Sequence, residues 1–533
     1  MLKRNDIPEK WDVEVDLVAA GASSGGLTAV IMGHDLGLST LLLEKSEYLG
    51  GGTALSGGVL WVPCNHVMQE KGLGDSREEA LEHIRRVSLG RHDEALVAAY
   101  LDNGPAALRY LEDHTPLKLT TGHLQGTDYY ADLPGGKELG RQVYADPEVM
   151  KPLLTQAQER FPIMNKVRPD PIPYLAGVRD YWEEGRGLIG SLVLACAERG
   201  IDIRTGVRAK QLIMQEGRVM GLRAEIEGRD FFVRARKGVL LAAGGYEWNQ
   251  EMNKRFMNAP DLVAYTPTSN EGDGHIMGME VGAAIALMDH SIFQPVFHVE
   301  GEDVDGRPFY RVPAYGFPGN IIVNRYGKRC CNESFYPDIG RAFVEYDKLN
   351  SEMANTPMYW IADHAFAKRG GTLGMAKFTR NSDWLHKAET LEGLAEQLGI
   401  SGENLIRAVK RFNEHARNGQ DPDFHRGETT YQQWWGTRFH PDLKPSTLGP
   451  LEQPPFYGIQ LQIGTVGNLG GLVTNADAQV IDVRGEVIPG LYGTSNTTAL
   501  LTYGFSYTSG ACQAKSLIFG YIAAKHMAHA SSL

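Results

Sequence analysis

The stretch VEVDLVAAGASSGGLTAVIMGHDLGLSTLLLEK, residues 13–45, decides the fold. Val13 to Ala20 reads as a buried strand, and the turn Gly21-Ala22-Ser23-Ser24-Gly25-Gly26 leads from it into the apolar helix pattern of Leu27, Val30 and Ile31. A second strand, Ser39 to Leu43, ends at Glu44. In this strand–helix–strand order a tight glycine turn brings backbone N–H groups at a helix N-terminus up to a pyrophosphate. The carboxylate at the end of the second strand then accepts hydrogen bonds from a ribose. The middle glycine of the usual turn is Ser23 here, so a side chain stands where the phosphate approaches.

Working outward, Gly50-Gly51-Gly52-Thr53-Ala54-Leu55-Ser56-Gly57-Gly58 is rich in small residues and carries two hydroxyls, as a backbone lying close to a flat or charged group requires. Trp61, Pro63 and Asn65 follow it directly, which argues against a flexible linker. Gly238 to Gly245 reads as a buried strand closing on a glycine turn. Asn270-Glu271-Gly272-Asp273-Gly274-His275 opens another helix, where backbone donors can meet a cofactor. Near the carboxyl end, Gly470-Gly471-Leu472, Val480-Ile481-Asp482 and Ile488 to Gly493 read as a hairpin and a last strand, followed by Ser495-Asn496.

Composition narrows the function classes. A chain of 533 residues exceeds one ordinary hydrophobic core, so two domains are expected. A formal net charge of -12 argues against nucleic acid as a partner, because phosphate neutralisation needs clustered Lys and Arg. There is no apolar run long enough to span a bilayer, and the stretch from Met1 to Trp11 is polar, so a cytoplasmic protein is expected, free or peripheral to a membrane. The five cysteines, Cys64, Cys196, Cys330, Cys331 and Cys512, lack CxxC spacing, which favours reduced thiols over disulfides or a metal site.

With these motifs in order, the chain resembles the fumarate reductase-like flavoprotein superfamily, and within it the 3-ketosteroid dehydrogenase branch. The matching elements are the first glycine turn with Glu44, Gly52-Thr53-Ala54-Leu55-Ser56-Gly57-Gly58, Ala242-Ala243-Gly244-Gly245, Gly272-Asp273-Gly274, Asn332-Glu333-Ser334 and Phe519-Gly520-Tyr521. The resemblance implies an α/β protein. A Rossmann-like FAD-binding domain would be built from residues 1–290 and 446–533, with an inserted α+β capping domain at 291–445. It places FAD against Gly21, Ser23, Ser24, Gly25 and Gly26, then Glu44 and Lys45, then Gly51, Gly52, Thr53, Ser56, Gly57 and Gly58, and finally Val207, Ala243, Gly244, Asp273 and Asn496. Family members commonly carry glycine where this chain has Ser495. No histidine lies between Gly50 and Gly58, near which covalent members attach the flavin, so non-covalent FAD is expected.

The resemblance also suggests the chemistry. Asn332-Glu333 leads into Ser334-Phe335-Tyr336, which puts an aromatic hydroxyl where the ketosteroid enzymes carry a catalytic tyrosine. In Tyr503-Gly504-Phe505-Ser506-Tyr507-Thr508-Ser509-Gly510 the prolines of the Δ1-enzymes are absent, and Tyr507, Ser509 and Gly510 look more like the Δ4-(5α) enzymes. Tyr129 or Tyr130 falls where another active-site tyrosine is expected. Desaturation beside a ketone requires that the carbonyl oxygen be polarised as charge develops on it. The Gly510 N–H with Tyr507 or Tyr503 would do this, while Tyr336 takes the proton, Tyr507 and Ser509 being the competing pair. Hydride passes to flavin N5 and the electrons to a separate acceptor. The substrate implied is a small hydrophobic ketone, a 3-ketosteroid or a cyclohexanone-type ring, and no metal is needed. The alternative is an ene-reductase acting on an enoate, which needs a carboxylate-binding arginine; Arg311, Arg329 and Arg341 are its candidates. A flavin scaffold without a substrate is a third reading. Among the histidines, His298 is the one best placed to face a site.

Overall fold

A computed structural model describes residues 7–122, 127–169, 181–369, 384–439 and 441–530; Met1 to Asp6 of the polar amino-terminal stretch lie outside them. The chain divides into two compact units: Met1–Phe256, Thr266–His290 and Gly467–Leu533 form the first, and Met257–Tyr265 with Ser291–Val466 the second.

The first unit is built on an eight-stranded sheet. Val13–Ala20 lies between Thr40–Glu44 and Arg229–Leu241, parallel to both. Asp202–Thr205 extends the parallel run on one side and Val487–Gly493 on the other. The central strand is buried on both faces, with Leu17, Val18 and Ala19 wholly inside, which explains its unbroken apolar run. Residues from both ends of the sequence therefore share one hydrogen-bonded sheet. An antiparallel hairpin, Val207–Gln215 and Arg218–Ile226, joins the edge of Arg229–Leu241.

Three helices surround the first glycine turn. Ser24–Asp35 packs on Glu184–Glu198 and on the closing helix Ala511–His529. The closing helix is buried nearly all round, as its lack of a polar stripe requires. It approaches Ser24–Asp35 so closely that a Cβ on Gly520 would stand 2.2 Å from the Gly25 carbonyl oxygen, and one on Gly25 would stand 2.3 Å from the Ser516 carbonyl oxygen.

The second unit carries a seven-stranded sheet. Its path runs Arg307–Arg311, Ser291–Val304, Phe456–Asn468, Met358–Ala362, Asn320–Val323. Helices Leu391–Leu398 and Gly402–Arg417 cover one face, burying Leu394, Leu405, Val409 and Phe412 against Ile321, Val323 and Ile361. The boundary at 445 expected from sequence is displaced by this sheet. Phe456–Asn468 pairs with Met358–Ala362 and His386–Ala388, and with Val263–Ala264, so residues 446–466 and 257–265 go with the second unit.

The helix crossing is testable. Gly520→Ala forces backbone apart, because the obstructing atoms are carbonyls rather than side-chain ends; the expected loss is about 3 kcal/mol, read as a lower chemical-denaturation midpoint.

Candidate active site

The first glycine turn is shaped by hard contacts. Gly21 has φ +110°, and a Cβ there would lie 2.3 Å from the Ala242 carbonyl oxygen. Ser23, the departure from the usual glycine, adopts ordinary extended backbone and caps the helix: its Oγ accepts the Gly26 N–H at 3.3 Å. The Gly25 N–H donates to Ser516 Oγ at 3.0 Å. Gln513 ties two glycine-rich segments together, its Oε1 accepting from Thr53 Oγ1 at 2.6 Å and from Ser24 Oγ at 3.5 Å. Gln513 and Ser516 escaped the sequence reading. They sit at helical spacing after Gly510, but nothing local says that this face meets residues 24 and 53.

Glu44 is buried at the end of its strand. The Ala22 N–H donates to its Oε2 and the Ser46 N–H to its Oε1, both at 2.8 Å, while burial holds its carboxyl above the usual range. Lys45 donates to Glu271 Oε2 and Asp273 Oδ2, each at 2.9 Å, and Arg208, beside the buried Val207, pairs with the same two carboxylates. This brings three predicted positions, Lys45, Val207 and Asp273, into one neighbourhood. Around the second glycine turn, a Cβ on Gly244 would stand 2.7 Å from Asn270 Oδ1, and Thr497 Oγ1 donates to the Gly244 carbonyl. Ala243 precedes that turn, and Asn496 lies in the short helical turn Ser495–Thr497. Ser495 has φ +61°, a left-handed conformation that glycine adopts most readily.

In the third segment, Gly51–Leu55 forms a short helix. A Cβ on Gly51 would meet nothing within 4 Å and one on Gly52 only the Pro267 ring at 3.9 Å, so this side is open. The Ser56 hydroxyl donates to the Thr53 carbonyl and accepts the Gly58 N–H, which holds the turn through Gly57. The helix N-terminus, buried terminal carboxylate, open glycine surface and acidic cluster together fit a dinucleotide that carries a flavin.

The tyrosine segments meet within the first unit. The Tyr129 and Tyr507 rings lie edge to face with centroids 5.9 Å apart, and the Tyr129 N–H donates to Thr508 Oγ1. Tyr130 hydrogen-bonds Ser506. Tyr503, only 1 % exposed, has its hydroxyl 3.3 Å from His83 Nε2 and bonded to Thr508. Burial pushes the Tyr503 and Tyr507 phenols well above the usual range, while a hydrogen bond from the Gly510 backbone pulls Tyr507 the other way. Gly510 has φ +89°, and a Cβ there would stand 2.7 Å from the Trp61 nitrogen. Ser509 is half-buried between Thr508 and Gly510. Beneath the loop, buried Arg141 pairs with Asp75 at 2.7 Å, and Asp128 accepts from Trp61 Nε1 at 2.8 Å. Burial pushes Asp128 up to about 6. This support, with His83, was not foreseen from the sequence.

In the second unit, Tyr336 is buried at the first position of helix Tyr336–Phe343. The motif before it is structural: buried Glu333 takes ion pairs from Arg329 and Arg426, and Ser334 Oγ donates to Asn332 Oδ1 at 2.7 Å. The three arginines proposed for a substrate carboxylate have protein partners: Arg311 pairs with Glu302, Arg329 with Glu333 and Asp421, and Arg341 with Asp338 and Glu345. His298 Nδ1 is 3.0 Å from the Phe309 carbonyl, across its hairpin. Among the described residues all five cysteines are free thiols, no cluster of His, Cys, Asp and Glu could hold a metal ion, and no helix is long and apolar enough to cross a membrane.

Fold and cradle together define a flavoprotein oxidoreductase. The model of the FAD binding domain family matches residues 16–510, and the chain belongs to that family. It is 34% identical to a 4-oxocyclohexanecarboxylate 2-dehydrogenase of Sinomonas cyclohexanicum, over 96% of this chain and 92% of the relative. It is 31% identical to a 3-oxosteroid 1-dehydrogenase of Mycobacterium tuberculosis, over 97% and 98%. The crystal structure of a 3-ketosteroid Δ1-dehydrogenase from Sterolibacterium denitrificans superposes with a TM-score of 0.83 at 28% identity, covering 97% of this chain and 99% of that one. The chain is an FAD-dependent oxidoreductase.

Two outcomes test this site. Glu44→Gln places an amide N–H₂ against backbone donors, so FAD binding weakens by about 1–3 kcal/mol, roughly tenfold to a hundredfold in Kd, measured by titrating apoprotein with FAD. His83 and His275 are both held down to about 4, chiefly by burial. Below pH ~6.5 the unfolded chain takes up protons there that the folded chain refuses, so stability is full above that pH and is lost towards pH ~4, by roughly 3 kcal/mol for each histidine. Denaturation midpoints of the holoenzyme against pH should show this fall, and His83→Gln or His275→Gln should make it shallower.

Proposed function

We propose that the chain is a dehydrogenase that introduces a C=C bond beside the carbonyl of an alicyclic ketone. The observation that carries this reading is the gathering of Tyr129, Tyr130, Tyr503, Tyr507 and Gly510 within the unit that has the dinucleotide cradle. The names of the relatives, oxocyclohexane carboxylate and 3-oxosteroid dehydrogenases, support the substrate class.

A C–H bond beside a ketone is too weakly acidic to break near neutrality unless the carbonyl oxygen is stabilised as it gains charge. Tyr507 is the donor we assign to that oxygen, with the Gly510 backbone, which bonds the Tyr507 hydroxyl, orienting it. A phenol held well above its usual range stays protonated, so Tyr503 and Tyr507 suit donation rather than proton removal. The base we assign is then Tyr336, whose helix start is held by the Glu333 ion pairs. Ser509 and Tyr130 line the same place and orient the ring. FAD, bound non-covalently at Gly21 to Gly26, Glu44 and the Gly51 to Gly58 turn, supplies the hydride acceptor. A separate electron acceptor completes turnover. Arg311, Arg329 and Arg341 are already ion-paired within the protein, which counts against them as carboxylate ligands for the enoate-reducing alternative.

Anaerobic mixing with 4-oxocyclohexanecarboxylate and with 3-ketosteroids should bleach the flavin. Tyr336→Phe and Tyr507→Phe should each slow that reduction by about 10²–10⁴-fold while FAD content stays the same. Absence of bleaching with both ketone classes refutes the proposal.

A further inference from the structure

Lys515 is 3 % exposed in the closing helix Ala511–His529. Its ammonium donates to the Thr498 carbonyl at 2.6 Å and to Thr498 Oγ1 at 3.1 Å, both neutral acceptors. Among the described residues no carboxylate forms an ion pair with it. The titratable groups around it do not supply a negative charge either. Burial pushes the Cys512 thiol up to about 11, so it stays protonated, and burial with the nearby ammonium keeps His275 neutral. Buried Glu247 helps to raise the Cys512 thiol, and among the described residues it forms no ion pair with Lys515.

A buried ion without a counter-charge costs several kcal/mol even after relaxation. Desolvation accordingly draws Lys515 down to about 8, yet near neutrality it remains mostly protonated. The missing negative charge therefore belongs to something that binds beside it. The neighbours of Lys515 indicate what that is. Ser516 takes the Gly25 N–H and Gln513 takes Thr53, so the same helix turn builds the dinucleotide cradle. The partner Thr498 directly follows the Ser495–Thr497 turn and precedes the tyrosine loop that begins at Tyr503. A pyrophosphate would be held at the N-terminus of Ser24–Asp35. Lys515 is anchored instead to Thr498, on the segment leading to the tyrosines, beside which the proposed reaction would place the ring.

We propose that Lys515 is the counter-charge of the flavin ring, a positioning cation that favours negative charge on the isoalloxazine and so raises its tendency to accept a hydride. The inference deepens the dehydrogenase reading and rests on the FAD assignment. Its test uses no ketone, so a failure of the substrate proposal leaves it untouched.

Sulfite is the probe. Its sulfur lone pair forms a bond to flavin N5 and the displaced electron pair leaves negative charge on the ring, so adduct affinity reports a nearby cation without any external oxidant. In FAD-loaded enzyme, Lys515→Met is expected to weaken the sulfite adduct at least tenfold, read as the concentration that bleaches half the flavin. A matching tenfold change in the two-electron reduction equilibrium lowers the midpoint potential by about 30 mV. Lys515→Arg should restore both readings. If Lys515→Met does not fold, Lys515→Gln keeps a polar partner for Thr498 and is read in the same way. Unchanged sulfite affinity and potential in the loaded variant overturn the proposal. Weakened FAD binding with an unchanged adduct also overturns it, because the charge would then serve the phosphates.

Discussion

The fold depends on one close approach, that of the closing helix to the first helix at Gly25 and Gly520. The backbone of one helix lies where a side chain of the other would have to be. This crossing brings Ser516 to the Gly25 N–H and Gln513 to Ser24 and Thr53. Without it the glycine turn at residues 21–26 would still be a turn, but its wall would be missing. The tyrosine loop is held by the same helix, whose N-terminal residue before the first turn is Gly510.

Electrostatics in the first unit are arranged around groups left without obvious partners in the sequence. Glu44 is buried and takes backbone donors on both carboxylate oxygens, Lys45 and Arg208 gather Glu271 and Asp273, and Arg141 sits against Asp75 and Asp128 beneath the tyrosines. In the second unit the strong pairs are internal supports: the Arg329, Arg426, Glu333 and Asp421 network holds the turn before Tyr336. Such fully paired networks fix geometry rather than bind ligand, because removing one member leaves another charge buried and alone.

How much could be read from sequence follows from how local each signal was. Val13 to Glu44 was legible because strand, turn, helix and carboxylate follow one another without a break. The return of the chain end at Val487–Gly493 was legible only through resemblance, since pairing with Arg229–Leu241 leaves no local mark. Ser23 and Ser495 stood out as departures, but their physical meaning needed dihedral angles: one is an ordinary helix cap, the other a left-handed residue. Residues 446–466 group with the second unit because Phe456–Asn468 pairs with Met358–Ala362 and His386–Ala388, a long-range pairing that leaves no local mark in the sequence. Tyr129 and Tyr507 meet across 378 positions of sequence, and Gln513 meets Thr53 across 460, separations that no periodicity reports.

The shared parallel sheet has a consequence for biogenesis. During translation the early strands emerge long before residues 487–493 and the closing helix, so a nascent chain holds that apolar sheet edge uncovered until those residues have been made. The wall that Gln513 and Ser516 give the cradle is therefore completed only once the closing helix has been made.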